Sequence, residues 1–471
     1  MAKKWGTLTP SGIECPNNRQ QLFQQMVVLF FYEPTETIFS FTPTLPRLSA
    51  LTAYELNYVT PLLSIIMEQL LTDIVCFSHL RWNFVYQRPQ HLLSRFAHDS
   101  RVFFIEEPIL YEGIDKIELS SPQKNLWVVT PFLHSSSTAC ILERQKKLLT
   151  VLFYQKSIKN YLFWYYTPLA LDVSDIFRPR LIVYDCMDEL SAFKFAPIEL
   201  KQKERALFAK ADIVFTGGVS IFEAKKKVHE AVYCFPSSID KAHFYQARKY
   251  SKEPADQLLI PHPRIGFYGV VDERFDIELL KNVAQMRPQW HFIIIGPIVK
   301  IDSTSLPQED NIHYLGSKKY EELPLYLAGW DLATCLFARN ESTRYISPTK
   351  TPEYLAGGKP VISTPIKDIV DTYGKNDLVH IVETPEEFIE CTEKELAITD
   401  KQHWLQRVDA FLHDNSWDAT WASMAALVRH RLKTKKDTAP KHENLKAILQ
   451  THGLSDISTD IGRPMFKENS V

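Results

Sequence analysis

The sequence predicts an α/β protein made of two Rossmann-like domains with a cleft between them. Short apolar runs alternate with amphipathic segments along most of the chain, which is typical of parallel strands covered by helices on both faces. This series occurs twice, and a polar, proline-bearing stretch at 247–263 separates the two copies and is interpreted as a linker. A chain of 471 residues is also too long for a single core, so two domains are expected.

The first series occupies residues 67–246. Its apolar runs are short enough to be buried strands, and Pro89 is well placed for the first turn of a helix over 89–97. A second helical segment is expected at about 138–154. The strands predicted in this domain are 74–77, 101–105, 126–130, 161–165, 181–184, 211–216 and 232–235.

The second series occupies residues 264–414. Several of its strands end directly on glycine, and amphipathic helices are predicted at 276–285 and 320–328 and around 351–356. The strands predicted here are 264–268, 290–295, 313–315, 332–337, 361–363 and 380–382.

The C-terminal part, from residue 415, is predicted to be one helix followed by a tail. The helix covers 417–432 within a segment 415–432, and Asn415 or Ser416 would be its N-cap. Arg429 and Arg431 lie in its last turn, which suits a helix C-terminus. Residues 433–471 are polar, lack a core pattern and are predicted to be flexible.

Residues 1–66 differ from the rest, because they carry irregular turn signals and few charges and have no clear period. Met67 then opens a segment that leads directly into the first strand. Two interpretations stay open: an extension that is not native or is poorly ordered, and a genuine variable N-terminal arm. Mass spectrometry of the native N-terminus separates them.

Composition places the chain among cytoplasmic globular proteins. The formal net charge is −2, which does not favour nucleic acid as a partner. The seven cysteines are scattered without a CxxC pair, which favours a reducing compartment over a disulfide framework or zinc site. No apolar run approaches the length of a membrane span, and no signal peptide is recognisable. The basic end of the last helix is interpreted as solvated, with contact to the inner membrane face as the alternative.

The stretch 344–365 in the second domain is the strongest candidate binding motif. Ser347, Thr349 and Lys350 stand where a helix begins, and free N–H groups together with a lysine suit a diphosphate. Glu353 lies one turn into that helix, where it could accept hydrogen bonds from ribose hydroxyls. The structural alternative is a helix cap that Glu353 completes.

A second strand-end loop adds a glycine and a cation. Gly269 permits close approach of the backbone to a ligand, and Arg274 could pair with phosphate through two hydrogen bonds. The alternative for Arg274 is a salt bridge with Asp272 or Glu273.

The first domain offers a loop at 78–91 that is rich in large functional side chains. Three aromatic residues and two arginines suit stacking on a sugar, whereas the alternative is a loop packed on its own aromatic rings. Carboxylates that end the following strands are candidates for a base or a hydroxyl ligand. The loop candidates are His79, Arg81, Trp82, Gln87 and Arg88, and the carboxylates are Glu106, Glu107, Asp185, Asp188 and Glu189.

Taken in order, several segments resemble bacterial GT-B glycosyltransferases of the family 1 and family 4 grouping. These segments are YDCMDELSAF, ADIVFTGG, PSSID, HYLGSKKYEELPLYLAGWDLA and SPTKTPEYLAGGKPVISTP. The opening FSHLRWNFVYQRPQHLLSRFA resembles a subgroup used in cell-surface polysaccharide assembly, some of which are fused to UDP-galactopyranose mutase. The resemblance covers about 72–432.

This resemblance implies a nucleotide-sugar donor, by analogy a UDP-sugar, held mainly by the second domain. A glycan or lipid-linked acceptor would lie against the first domain, and the last helix would cross back to it. By that match Arg274 and Lys350 neutralise the donor phosphates and Glu353 binds the ribose. The activity implied is that of a hexosyltransferase, with no cofactor besides the donor substrate.

One departure bears on mechanism. Family 4 enzymes commonly carry two glutamates separated by seven residues, but the position eight before Glu353 is Tyr345. Retention and inversion therefore both stay open, and an inverting enzyme would take its base from His79 or Asp188. No DxD metal motif is present, since Asp185 and Asp188 are three residues apart. The alternative functions are a non-catalytic nucleotide-sugar-binding subunit and a GT-B nucleotide-sugar epimerase.

Overall fold

The computed structural model describes residues 72–135, 140–435 and 466–469. Within them the chain forms two separate sheets, one in each predicted domain. The predicted extension at 1–66 lies outside the described residues.

The first sheet is mostly parallel. Its strands lie side by side in the order β4-β5-β2-β1-β6-β7-β8-β9, and β3 pairs with β5. Only the pairing of β4 with β5 is antiparallel among these strands. The strands are β1 (Asp73–Ser78), β2 (Val102–Glu106), β3 (Ile109–Tyr111), β4 (Lys116–Gln123), β5 (Leu126–His134), β6 (Tyr161–Tyr165), β7 (Ile182–Cys186), β8 (Ile213–Thr216) and β9 (Val232–Cys234).

The second sheet is parallel throughout and has the order β12-β11-β10-β13-β14-β15. This is the strand order of a doubly wound dinucleotide-binding sheet, and it reverses direction between β10 and β13. The strands are β10 (Arg264–Tyr268), β11 (His291–Ile295), β12 (Ile312–Gly316), β13 (Leu332–Cys335), β14 (Val361–Ser363) and β15 (His380–Ile381).

One further strand, β16 (Phe466–Asn469), pairs in parallel with β4 at the edge of the first sheet. The sequence pattern predicted a tail without regular structure here, so the structure differs from that prediction at these four residues.

The α-helices cover both sheets. In the first domain they are α1 (Arg88–Phe96), α2 (Ile141–Gln155), α3 (Leu171–Ser174), α4 (Leu200–Lys210), α5 (Val219–Lys225) and α6 (Lys241–Tyr245). The remaining helices are α7 (Ala255–Leu258), α8 (Ile277–Met286), α9 (Leu323–Ala328), α10 (Lys350–Ala356), α11 (Lys367–Thr372), α12 (Pro385–Ala397), α13 (Gln402–Phe411) and α14 (Trp417–Thr434). The short helix α7 lies inside the stretch predicted to be a linker.

Each sheet buries apolar side chains on both faces, as continuous apolar strands require. On one face of the first sheet, for example, Cys76 and Phe104 are fully buried, whereas Val75 and Phe103 are fully buried on the other. The alternation of strands and helices therefore predicted the fold class correctly.

The last helix, α14, crosses back to the first domain. Its N-cap is Ser416, whose hydroxyl accepts a hydrogen bond from the N–H of Ala419 at 3.1 Å. Met424 and Val428 pack into the core of the first sheet, and the ring of Trp417 stacks on that of His91 with centroids 4.6 Å apart. The predicted crossing helix is confirmed.

No helix in the described ranges is long and apolar enough to cross a membrane.

Candidate functional site

The second sheet places a crevice at the carboxyl ends of β10 and β13, where its strand order reverses. The loops that follow these two strands are joined by hydrogen bonds. The N–H of Ala338 donates to the carbonyl of Arg274 at 2.8 Å, and Nδ2 of Asn340 donates to the carbonyl of Glu273 at 3.0 Å. Side chains from both loops are thus held at one edge of the sheet.

Gly269 and Lys350 meet at this edge. Gly269 has φ +142°, and a Cβ built on it would lie 2.1 Å from Cε of Lys350, so the lysine occupies the space that a side chain at 269 would need. The Nζ atom lies 5.6 Å from the ring centroid of Phe267 and 5.8 Å from that of Phe337. Burial lowers the pKa of Lys350.

Among the described residues Lys350 has no directly bonded counter-ion, although the carboxylates of Glu353 and Asp272 are near enough to act on its charge. Within the described ranges its ammonium group makes no hydrogen bond or ion pair. A cation that is partly desolvated and unpaired is suited to an anionic ligand.

Glu353 lies one turn further along α10 and is only 6% exposed. Its Oε2 accepts a hydrogen bond from the hydroxyl of Tyr268 at 2.8 Å. Burial raises the pKa of Glu353 to about 7, although Tyr268 and Lys350 act in the opposite direction. The N-cap, Thr349, makes no side-chain capping bond, so the structural alternative of a helix cap is not what the structure shows.

Arg274 forms a salt bridge with Asp272, which is the alternative role considered for it in the sequence analysis. Its guanidinium donates to both carboxylate oxygens of Asp272 at 2.7–3.1 Å, and Asp272 is buried. The same guanidinium lies 5.2 Å from the ring centroid of Phe193, which belongs to the first domain. Arg274 is therefore a cation at the crevice whose charge is partly neutralised.

Asp188 comes to this group from the end of β7 in the first domain. Burial raises the pKa of Asp188, and the charge of Arg274 partly offsets that effect. The charge of Lys350 also lowers the pKa of Asp188, more weakly than the charge of Arg274 does. The structure thus brings one predicted base within electrostatic range of both predicted phosphate-binding cations.

His79 stands near a cation that the sequence analysis missed. Burial, and to a lesser degree the charge of Lys300, lower the pKa of His79 to about 4. Its buried Nδ1 has no well-formed hydrogen bond to a described residue. Lys300 has φ +60°, and its Nζ lies 5.6 Å from the ring centroid of Phe193. The sequence feature that could have identified Lys300 is its position in the loop after β11, shortly after Gly296 and Pro297.

Two of the predicted sugar contacts in the loop 78–91 are corrected by the structure. Arg88 is 2% exposed, and its Nε donates to the carboxylate of the fully buried Asp185 at 3.0 and 3.1 Å. Trp82 is 8% exposed and packs edge-on against Phe104. Both side chains stabilise the first domain from inside, so neither is placed to bind a sugar.

Arg81 and Gln87 also have local partners. Arg81 donates to Oε2 of Glu106 at 3.0 Å and to the carbonyl of Glu107 at 2.6 Å, and Glu106 in turn accepts from the N–H of Trp82. Gln87 is the N-cap residue of α1. These contacts hold the loop against neighbouring segments, chiefly the end of β2 and β7, and do not pack it on its own aromatic rings.

Ser347 lies at the contact between the two domains. A Cβ built on Gly218 would lie 2.6 Å from Cβ of Ser347, and the carbonyl of Ser347 accepts a hydrogen bond from the hydroxyl of Ser237 at 3.2 Å. The predicted donor contact Ser347 is therefore in close contact with the first domain.

A carboxylate of the second domain caps a helix of the first. Asp368 is 4% exposed and accepts hydrogen bonds from the N–H groups of Val219 and Ser220, both at 2.9 Å, as well as from the Ser220 hydroxyl. This contact, which holds α5 against α11, has no local signal in the sequence.

Tyr345, at the position where family 4 enzymes commonly have glutamate, also contacts the first domain. It packs against the core of the first sheet and lines a groove of about 1120 Å³ beside α4 and α5. The described residues contain no cluster of three or more His, Cys, Asp or Glu side chains arranged to hold a metal ion.

Residues 262–397 match the sequence model of the family described as Glycosyl transferases group 1. A putative teichuronic acid biosynthesis glycosyltransferase, TuaH of Bacillus subtilis (strain 168), is 24% identical over 220 residues. That alignment covers 43% of this chain and 54% of TuaH, so it spans about half the length of the relative.

Solved structures resemble about three quarters of the chain. A sucrose-phosphate synthase from Thermosynechococcus elongatus superimposes with a TM-score of 0.57 at 15% identity, covering 77% of this chain and 100% of that one. The E. coli structure described as trehalose-6-phosphate bound with UDP-2-fluoro glucose gives 0.57 at 10% identity, covering 76% and 99%. HepE of Anabaena, in complex with UDP and glucose, gives 0.53 at 15% identity, covering 75% and 98%.

The chain has the GT-B fold. The two sheets and the helix that crosses back to the first domain were predicted from the sequence. All three belong to the GT-B architecture.

Proposed function

We propose that this chain is a glycosyltransferase that moves a sugar, most simply a hexose, from a nucleotide-diphosphate donor to a glycan or lipid-linked acceptor. The observation that carries the proposal is Lys350, an unpaired and partly desolvated cation packed on Gly269 beside the point where the strand order of the second sheet reverses. A diphosphate would supply the directly bonded anion that this lysine lacks among the described residues.

The residue roles follow from position and partners. Lys350 and Arg274 bind the donor diphosphate, and the bare backbone at Gly269 lets the phosphate approach closely. Fixed cations in a crevice stabilise the charge that develops on a departing diphosphate. Glu353 accepts hydrogen bonds from the ribose, with its carboxylate oriented by Tyr268. Ser347 and Thr349 are placed on the segment that leads into α10.

Two first-domain groups are proposed as the base of an inverting reaction. Asp188 is the better placed of the two with respect to the donor site, since Arg274 and Lys350 act on it electrostatically. His79 would be neutral near pH 7, because its pKa is about 4, and its buried Nδ1 has no well-formed hydrogen bond to a described residue. In a retaining reaction the donor phosphate would carry the proton transfer instead, and neither group would be needed.

UDP is the proposed nucleotide and a surface polysaccharide the proposed product. Among the structural neighbours, HepE is bound to UDP and glucose, and an E. coli neighbour to UDP-2-fluoro glucose. The relative TuaH is named for teichuronic acid biosynthesis. The enzyme would act in the cytoplasm, at the inner face of the membrane where a lipid-linked acceptor lies.

The test is a panel of nucleotides and nucleotide sugars, read first by thermal shift and then by product analysis. We expect a UDP-sugar to raise the unfolding temperature, because a ligand that binds only the folded state stabilises it by mass action. Lys350→Ala should weaken UDP binding at least tenfold, since a charge-assisted contact contributes about 1.5–3 kcal/mol. Lys367→Ala, at an exposed lysine paired with Asp371, is the control and should bind UDP like the unmodified protein.

The outcomes separate the candidate functions. Conversion of the donor to an isomer without an acceptor would identify an epimerase. Tight donor binding with no hydrolysis or transfer would identify a non-catalytic binding subunit. The absence of any nucleotide-sugar binding, with Lys350→Ala indistinguishable from the unmodified protein, would overturn the proposal.

A further inference from the structure

The loop between β7 and α4 exposes a run of apolar residues. Residues 195–198 are Phe-Ala-Pro-Ile, in which Phe195 is 64% exposed and Ile198 is 98% exposed. Single apolar residues on a surface are common, but a continuous exposed run indicates a surface that is used for binding.

Backbone hydrogen bonds give this loop a defined shape. The N–H of Ala196 donates to the carbonyl of Phe193 at 3.0 Å. The N–H of Leu200 donates to the carbonyl of Pro197, also at 3.0 Å, and Leu200 is buried at the start of α4. The two turns thus hold the apolar run outside the core of the first domain.

Three cations beside the apolar run make no ion pair with any described residue. Lys194 precedes the run, and Lys201 and Arg205 are exposed one turn apart on α4. Within 194–205 they are accompanied by a single carboxylate that is likewise unpaired, Glu199. The other two charged side chains of this stretch are paired, namely Lys203 with Asp172 and Glu204 with Lys225. The surface around the run therefore carries a net positive charge.

The same loop reaches the candidate donor site. The ring centroid of Phe193 lies 5.2 Å from the guanidinium of Arg274 and 5.6 Å from Nζ of Lys300. Phe195 is only two residues further along the chain, and two residues extend over about 7 Å at most. A surface that contacts Phe195 therefore lies close to the crevice.

We propose that residues 194–198 enter the headgroup region of an anionic lipid bilayer, with Lys201 and Arg205 held at its surface. Large apolar side chains flanked by lysine and arginine suit this interface, because acyl chains take up the apolar groups and anionic headgroups attract the cations. A protein partner that binds stably needs a larger contact area than such a turn offers.

This inference rests on the proposed function in one respect, since a bilayer at this loop would bring a lipid-linked acceptor to the donor site. It goes further by assigning the membrane contact to one loop of the first domain.

Sedimentation with lipid vesicles tests the proposal. One set of vesicles contains equal parts of phosphatidylcholine and phosphatidylglycerol, and the other contains phosphatidylcholine alone. We expect the protein to bind the anionic vesicles at least about tenfold more tightly than the neutral ones, with an affinity that falls as salt is added. The double variant Phe195→Ser, Ile198→Ser should bind the anionic vesicles at least about tenfold more weakly, because it has no large apolar side chain at this loop to bury.

The matched control is the double variant Leu258→Ser, Leu259→Ser. These two leucines are 57% and 89% exposed and lie at the end of α7, so the control removes a similar exposed apolar area from another part of the chain. It should bind vesicles like the unmodified protein. Because both double variants change exposed side chains, neither should lower the unfolding temperature.

Three results would overturn the inference: no binding of the unmodified protein to either vesicle, equal binding to both, or a Phe195→Ser, Ile198→Ser variant that binds like the control. The assay contains no nucleotide sugar, so its outcome does not depend on whether the chain transfers a sugar. If the vesicles bind as expected and no nucleotide sugar does, the proposed function fails and the membrane contact stands.

Discussion

At the scale of single residues, local sequence patterns located strand ends and helix starts, whereas the binding roles assigned to the residues there stay predictions. Gly269, Lys350 and Glu353 stand at a strand end or helix start, and local patterns locate such positions. Arg88 and Trp82 were misassigned, because burial is invisible in a loop composition and because the partner of Arg88, Asp185, is 97 residues away. Lys300 was missed because its proximity to His79 depends on how the two domains meet.

Glu353 leads to a prediction about pH. Its pKa is raised from 4.5 to about 7, so the folded protein disfavours the ionised carboxylate. When folding raises the pKa of an acid, the folded protein loses no stability from it at a pH below the pKa of the unfolded state. The full loss of stability is reached at a pH above the pKa of the folded state. The unmodified protein should therefore lose stability relative to Glu353→Gln as the pH rises from 4.5 to about 7.

The magnitude expected is on the order of 3 kcal/mol, since the pKa of Glu353 rises by about 2.5 and one pKa unit corresponds to about 1.4 kcal/mol. Thermal unfolding of both proteins across pH 4.5–8 measures it, and the comparison cancels the titration of all other groups. A difference in unfolding temperature that does not change over this range would show that burial does not raise the pKa of Glu353.

At the scale of elements, apolar runs bounded by turns identified the buried strands, but edge strands gave weaker signals. The strand β4 was not predicted, although its buried Ile117 and Leu119 alternate with more exposed neighbours. Half-exposed strands show this two-residue period, whereas the strands predicted from the sequence were continuous apolar runs. The strand β16 has four residues in a polar segment, too few for any period to be recognised.

The helix α5 gives a prediction at this scale. Its first N–H groups are capped by Asp368 of the other domain, so Asp368→Ala should remove two backbone hydrogen bonds that hold the domains together. We expect a loss of about 1–3 kcal/mol, seen as a lower unfolding temperature.

The control for that experiment is Asp371→Ala, one turn along α11. Asp371 forms surface ion pairs with Lys367 and Lys375, and such pairs contribute little. If Asp368→Ala is as stable as Asp371→Ala, the carboxylate does not fasten α5 to the second domain.

At the scale of the whole molecule, alternation along the sequence predicted two parallel sheets, because right-handed crossovers leave few topologies for such a pattern. It could not predict how the domains contact each other. The contacts of Asp368 with α5 and of Phe193 with Arg274 and Lys300 all join side chains far apart in sequence. These contacts form where the two folded domains pack against each other, and local sequence patterns do not determine that packing.

The central claim is that the crevice of the second domain binds a nucleotide diphosphate through the loops after β10 and β13. Hydrogen exchange followed by mass spectrometry, with and without saturating UDP, tests it most directly. We predict slower exchange in peptides covering 265–275 and 345–357, and unchanged exchange in α2, which lies in the first domain away from β10 and β13. Unchanged exchange in both of those segments, or protection confined to the first domain, would contradict it.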